Sequence, residues 1–285
     1  MTITTPQLVG ICGSGIMGSG LAEVVARAGI NVVVRSRTLS GAQAMLATVE
    51  GNLAKQVSKG KMTEDERATV LSHISITESL TDLANCDLVI ESILEELAAK
   101  QALFGELDGI VKPSAILATN TSTLPVIKMA QATKRPDKVC GIHFFNPAVL
   151  MPLVEIVRPI TASDETIAAA TAFATTCAKE PVQVLDRAGF IVNALLFPYL
   201  NNAVRMFEAG TASMEDIDVA MKGGCNFPMG PFALLDLVGL DTSVAILDAL
   251  HAEFKDDNYV VTPSLRKLVS EGKLGRKTKQ GFFSY

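Results

Sequence analysis

Few features of secreted, membrane-bound or metal-dependent proteins occur in this chain of 285 residues. Its five cysteines, Cys12, Cys86, Cys140, Cys177 and Cys225, are odd in number and widely scattered, with no C-x-x-C pair and no histidine at metal-ligand spacing. That pattern argues against a disulfide framework or a metal site and reads as buried thiols in a reducing compartment. No apolar run approaches the roughly 18 residues a membrane-spanning helix requires. Met1 to Gln7 carry no Lys or Arg, so the charged n-region of a signal peptide is missing. A soluble, cytoplasmic protein is the expectation. A positive charge excess is also lacking: the formal net charge is −5 and the pI is near 5.3. A nucleic-acid partner is therefore not expected, while locally basic patches stay compatible with phosphorylated small molecules. Low-complexity segments and repeats of fixed period are absent as well.

What is present is globular: 48% hydrophobic and 19% charged residues. The length suits two hydrophobic cores at roughly 150 residues per domain. An apolar run at 8–12 precedes a glycine cluster, the small residues Leu21 to Ala28 suit a helix, and Asn31 to Val34 forms a second strand candidate. Further runs of strand character lie at 87–90, 115–118, 139–144 and 153–157, the earlier ones separated by helix-compatible segments. This is the pattern of an α/β sheet with crossovers. After about residue 187, Phe190 to Ala209, Ser213 to Lys222, Pro231 to Leu237 and Thr242 to Phe254 read as helices, and strand signals nearly vanish. The expected organisation is an α/β, Rossmann-type dinucleotide-binding domain over 1–186, followed by an all-α domain over 187–285.

Gly13-Ser14-Gly15-Ile16-Met17-Gly18 is a G-x-G-x-x-G turn between the first strand and the first helix. Glycines are needed there because the turn is tight, the backbone approaches a pyrophosphate, and the helix packs closely on the sheet. The phosphates then lie at a helix N-terminus, where free N–H groups and the helix dipole favour negative charge. For NAD, the second strand ordinarily ends in a carboxylate that binds the adenosine ribose. Here it ends in Arg35-Ser36-Arg37. A 2′-phosphate would meet no repulsion at that point and two guanidinium partners, so NADP(H) is favoured, with NAD(H) possible if both arginines are merely solvated.

His143 stands out among three histidines because it ends an apolar run, where open α/β sheets place their ligands. His73 and His251 read as solvated or structural. Twelve residues on, Glu155 interrupts Leu153-Val154-Glu155-Ile156-Val157, and a buried carboxylate there requires a partner. An imidazole held by a carboxylate presents its other nitrogen as a base, which hydride removal from a secondary alcohol requires. The alternative is a core histidine beside an unrelated edge-strand glutamate. The hydroxyl-rich segment Thr119-Asn120-Thr121-Ser122-Thr123 follows a strand and suits a substrate oxygen or a nicotinamide, or else a helix cap at Ser122 or Thr123 before Leu124. Asn193, inside an apolar helix, requires a partner of its own, functional or interdomain.

In this order these residues resemble the L-3-hydroxyacyl-CoA dehydrogenase family over essentially the whole chain. The match runs through the glycine turn, Asn120-Thr121-Ser122, His143-Phe144-Phe145-Asn146-Pro147, Gly189 to Asn193, Pro228-Met229-Gly230-Pro231, and the ending Gly275 to Thr278 with Gly281-Phe282. The resemblance implies a dehydrogenase of short 3-hydroxyacyl-CoA thioesters such as 3-hydroxybutyryl-CoA, in fatty acid or butanoate metabolism, acting as a homodimer through its helical domain. It implies that His143 is the general base, Glu155 its orienting carboxylate, and Ser122 and Asn193 holders of the substrate oxygens. It places Glu95 and Lys100 near the nicotinamide, and Asn52 and Lys59 at coenzyme A, where Lys55 and Lys61 would serve equally well. Ser36 departs from the family pattern, which carries an acidic residue there in NAD-using members. Relatives of the same architecture oxidise sugar acids such as L-gulonate, and a non-catalytic dinucleotide-binding role is the alternative of a different class.

Overall fold

The computed structural model describes residues 5–285; Met1 to Thr4, the first part of the stretch read above for a leader, lie outside the described residues. The chain divides into two compact units, the first ending at Asp186 and the second spanning Arg187–Tyr285.

In the first unit the elements run β1 (Leu8–Cys12), α1 (Ile16–Arg27), β2 (Asn31–Arg35), α2 (Leu39–Ser58), α3 (Glu64–Ser72), β3 (Ile74–Thr77), β4 (Leu88–Glu91) and α4 (Leu97–Ile110). They continue with β5 (Ile116–Thr119), α5 (Val126–Ala130), β6 (Val139–Phe144), β7 (Leu153–Arg158), α6 (Asp164–Thr176) and β8 (Glu180–Leu185). The strands form one sheet in the order β3-β2-β1-β4-β5-β6-β7-β8. Chain order reverses at β1, so a crevice opens between β1 and β4 at the carboxyl edge, where open parallel sheets bind ligands. The central strands read as continuous apolar runs because helices cover both faces: Val9, Ile11, Leu88, Val89, Ile90 and Leu117 are all buried.

The sheet departs from a fully parallel pattern at β7, which pairs antiparallel with β6. Only residues 145–152 join the two strands, and a parallel crossover needs about a dozen or more. The register of this turn sets His143 directly opposite Glu155. Strands β3 and β8 are not apparent from the sequence. Both lie at sheet edges with half-exposed side chains, so neither shows an unbroken apolar run.

In the second unit, α7 (Val192–Glu208), α8 (Met214–Cys225), α9 (Pro231–Val238), α10 (Leu240–Phe254) and α11 (Pro263–Ser270) pack around Phe197, Leu200, Val204, Phe232, Leu235, Leu247 and Leu250. Two buried aspartates organise it. Asp218 accepts the Phe232 and Ala233 N–H groups at 2.8 and 3.0 Å and so caps α9. Asp236 accepts the N–H groups of Phe282 and Phe283 at 2.9 and 2.8 Å and stitches the last residues to the helices. Gly230 and Gly281, one from each of the two late motifs, leave room for these carboxylates. A Cβ on Gly230 would lie 2.2 Å from the Asp218 carboxyl carbon, and one on Gly281 would lie 1.9 Å from Asp236 Oδ1.

One cysteine departs from the sequence reading. Cys12, Cys86, Cys140 and Cys177 are buried, and burial pushes each thiol up to about 12. Cys225 is exposed, because it ends α8 behind Gly223 and Gly224, which meet nothing within 4 Å.

Candidate active site

The glycine turn closes the carboxyl end of β1. Gly13 holds φ +126°, and a Cβ there would lie 2.2 Å from the Ser92 carbonyl oxygen. A Cβ on Gly18 would lie 2.1 Å from the Gly13 oxygen, so α1 approaches the turn at a distance only glycine allows. Gly15 is different: it is exposed, with nothing within 4 Å of a Cβ, and it caps α1 without a side chain. A pyrophosphate fits this cradle, with bare backbone toward the open side and a helix N-terminus behind. Ile16 is exposed and Met17 half-buried beside it.

On the β2 side of the turn, Ser36 is buried and shares a 2.8 Å hydrogen bond between its hydroxyl and that of Ser14. Arg35 Nε donates to the Glu78 carbonyl at 3.2 Å, and Arg37 is exposed. Glu78 escaped the sequence reading because it follows β3, the edge strand that carries no clear signal. Its Oε2 accepts the Leu39 N–H at 3.1 Å at the start of α2, so a carboxylate does stand in this region, supplied from β3 instead of β2.

On the other side, β4 ends in Glu91, whose carboxylate accepts Lys100 Nζ at 2.6 Å, Thr119 Oγ1 at 2.7 Å and the Ile93 N–H at 2.7 Å. Lys100 also reaches Glu95 Oε2 at 3.1 Å. Glu95 in turn accepts the Thr121 hydroxyl and the Ser122 N–H, the latter at 3.0 Å, which organises the turn after β5. The Lys100 ammonium and these donors hold the Glu95 carboxyl below its ordinary range against the opposing effect of burial, the largest single influence. Asn120 Oδ1 accepts the Phe144 N–H at 2.8 Å and ties this turn to the end of β6. Helix α5 begins at Val126, so neither Ser122 nor Thr123 caps a helix at Leu124. Its first N–H groups, on Val126 and Ile127, are taken by Asp186 at 2.9 and 2.7 Å, and Thr121 Oγ1 takes the Leu124 N–H at 3.0 Å.

His143 and Glu155 are both buried, and His143 Nδ1 lies 2.7 Å from Glu155 Oε2. This hydrogen bond implies the tautomer in which Nδ1 carries the proton. The Phe145 ring packs on the imidazole with centroids 4.5 Å apart. Asn193 is buried in the first turn of α7, in the second unit. Asn52 and Lys59 are exposed on α2 and at its C-cap, with Lys55 exposed between them.

A glycine cradle at the switch point of a mostly parallel sheet, followed by a helical unit, defines a dinucleotide-binding protein of the Rossmann class. The chain belongs to the 3-hydroxyacyl-CoA dehydrogenase family: the family's NAD binding domain matches residues 8–187 and its C-terminal domain residues 189–285. The chain is 46% identical to a 3-hydroxybutyryl-CoA dehydrogenase of Mycobacterium tuberculosis over 98% of both proteins. A 3-hydroxybutyryl-CoA dehydrogenase of Clostridioides difficile is 45% identical over 96% of this chain and 98% of its own length. Among solved structures, the (S)-3-hydroxybutyryl-CoA dehydrogenase PaaH1 of Ralstonia eutropha superposes with a TM-score of 0.96 at 40% identity, covering 99% of each chain.

Proposed function

We propose that this chain is a short-chain L-3-hydroxyacyl-CoA dehydrogenase that interconverts 3-hydroxybutyryl-CoA and acetoacetyl-CoA. The observation that carries this reading is the buried His143–Glu155 pair at 2.7 Å, at the carboxyl edge of the sheet and tied through Phe144 and Asn120 to the turn holding Ser122. Relatives named as 3-hydroxybutyryl-CoA dehydrogenases at 45 and 46% identity support it.

When bound, the nicotinamide cofactor supplies the hydride acceptor, or the donor in the reverse direction. His143 Nε2 takes the proton of the 3-hydroxyl and returns it in reduction. Glu155 holds the imidazole in that orientation and stabilises the imidazolium. Ser122 and Asn193 hold the substrate oxygens. Gly13, Gly15, Ile16, Met17 and Gly18 form the pyrophosphate cradle, with Glu95, Lys100 and Asn120 at the nicotinamide end. Asn52 and Lys59 take coenzyme A, and their exposure on one helix favours this. NADP(H) is the preferred cofactor on the strength of Arg35, Ser36 and Arg37, with Glu78 as the group that opposes it; such a preference favours the reductive direction.

The segment 1–186 acts as the cofactor-binding domain and 187–285 as the substrate and dimerisation domain. Exposed apolar side chains on the helical unit, among them Leu195, Val219, Phe227 and Leu237, favour a homodimer. A cytoplasmic setting in fatty acid or butanoate metabolism suits free cysteines and the absence, among the described residues, of any helix long and apolar enough to cross a membrane. Acetoacetyl-CoA reduction with NADPH and with NADH, compared as kcat/KM, tests the reading. Turnover with either supports the reaction, a ten-fold advantage for NADPH supports the cofactor preference, and no turnover with both removes the substrate assignment.

A further inference from the structure

Glu91 takes no part in the proton or hydride transfer, yet its position in the fold is unusual. Its side chain is fully buried, at the end of the strand that borders the crevice. Three donors are hydrogen-bonded to its carboxylate, from Lys100, Thr119 and the Ile93 N–H. Its one ionic partner, Lys100, is 1% exposed and is shared with Glu95, so two carboxylates divide one ammonium. Among the described residues no other cation is hydrogen-bonded to either carboxylate. In register beside Glu91 lies Cys12, a thiol pushed up to about 12 and therefore uncharged, with Arg35 of β2 beyond it; on the other side stand Thr119 and Gly141. One unit of negative charge is left over, between the glycine turn and His143.

That stretch of the edge is the nicotinamide half of a dinucleotide crevice, the adenosine half lying beyond β1 on the β2 side. The oxidised nicotinamide ring carries a positive charge and the reduced ring carries none. We infer that Glu91 biases this half-site toward the oxidised cofactor through the surplus negative charge of the Glu91–Lys100–Glu95 cluster. The inference rests on the cofactor reading given above and deepens it. Glu91 is a positioning and electrostatic residue: it acts from behind Lys100, whose ammonium screens part of its charge. Bound reduced cofactor is thereby made a stronger hydride donor, because loss of hydride generates the charge that the cluster favours.

The test measures dissociation constants for oxidised and reduced cofactor, by fluorescence and calorimetry, on full-length wild type, Glu91→Gln and Thr119→Val. Glutamine keeps the shape and one oxygen, for Lys100 and the Ile93 N–H, while removing the charge, and its amide nitrogen takes the place of the second oxygen opposite Thr119 Oγ1; Thr119→Val removes a hydrogen bond from the same carboxylate and keeps the charge. The expected result is that Glu91→Gln raises the ratio of oxidised to reduced dissociation constants on the order of ten-fold, the scale of one unit charge in a half-buried site. Thr119→Val leaves that ratio within about two-fold even where both affinities fall. Equal loss of affinity for both forms in Glu91→Gln, or an equal shift of the ratio in Thr119→Val, overturns the inference. Should Glu91→Gln not fold, Glu95→Gln removes the same charge at the exposed end of the cluster and is expected to shift the ratio in the same direction; an unchanged ratio there is equally decisive against it. Wild-type protein that binds neither form is a separate result, which removes the cofactor reading itself.

Discussion

The two halves of the sheet's carboxyl edge are built on opposite principles. On the β2 side, Ser36 is held by one hydroxyl contact, Arg35 by one hydrogen bond to a carbonyl, and Arg37 is exposed. On the β4 to β7 side, Glu91, Lys100, Thr119, His143 and Glu155 are all buried and each has a partner. Removing one member of a buried ionic pair costs about 3–5 kcal/mol, because the other charge is stranded, whereas exposed substitutions usually stay within about 0.5 kcal/mol. The β4 to β7 side is therefore costly to alter, while on the β2 side Arg37 is exposed and Ser36, though buried, carries no charge whose loss would strand a partner.

The sharpest way to break that contrast is His143→Ala. Turnover of acetoacetyl-CoA is expected to fall about 10²–10⁴-fold, the worth of general acid–base catalysis, while equilibrium dialysis shows cofactor affinity retained. Near-normal turnover would sink the assignment of the base. Next in size, Ser36→Asp restores a carboxylate at the end of β2 and is expected to move the NADPH to NADH ratio of kcat/KM toward NADH by about ten-fold to several hundred-fold. A ratio that does not move would mean that the β2 side does not read the adenosine ribose. A smaller change on the same side is Glu78→Gln, which removes the charge of the opposing carboxylate and is expected to favour NADPH by about three- to ten-fold, read in the same kinetic comparison. A change in NADH kinetics alone would count against it.

The smallest effect concerns Cys12, which lies in register between the two halves. With four thiols pushed up to about 12 by burial and Cys225 exposed, a thiol reagent at pH 8 is expected to label one cysteine of the native protein quickly and all five after denaturation. Fast labelling of Cys12, located by peptide mapping, would show that the crevice floor opens more readily than its burial implies.

Much of this architecture is legible in the chain. The glycine turn stands between a strand and a helix, β6 runs over the residues its apolar run marks, and the helical second unit is announced by a change of pattern near residue 187. Edge strands β3 and β8 were not legible, because half-exposed strands alternate polar and apolar residues over too few positions to stand out. Glu78 was hidden with β3. Glu91 was hidden for another reason: a glutamate closing an apolar run gives no sign that Lys100, nine residues on, returns to it.

The sequence alone determined the dinucleotide turn, the order of the central strands and the residue types available for proton transfer, since these depend on local periodicity and on backbone freedom at a few glycines. Only the tertiary structure decided which of those groups meet. His143 faces Glu155 because a short connection forces β7 antiparallel in one register, and Glu91 shares Lys100 with Glu95 because α4 packs that side chain back under the sheet edge. Hydrogen bonds and ion pairs act over about 3 Å, and distances of that order between residues far apart in the chain are set by register and packing alone.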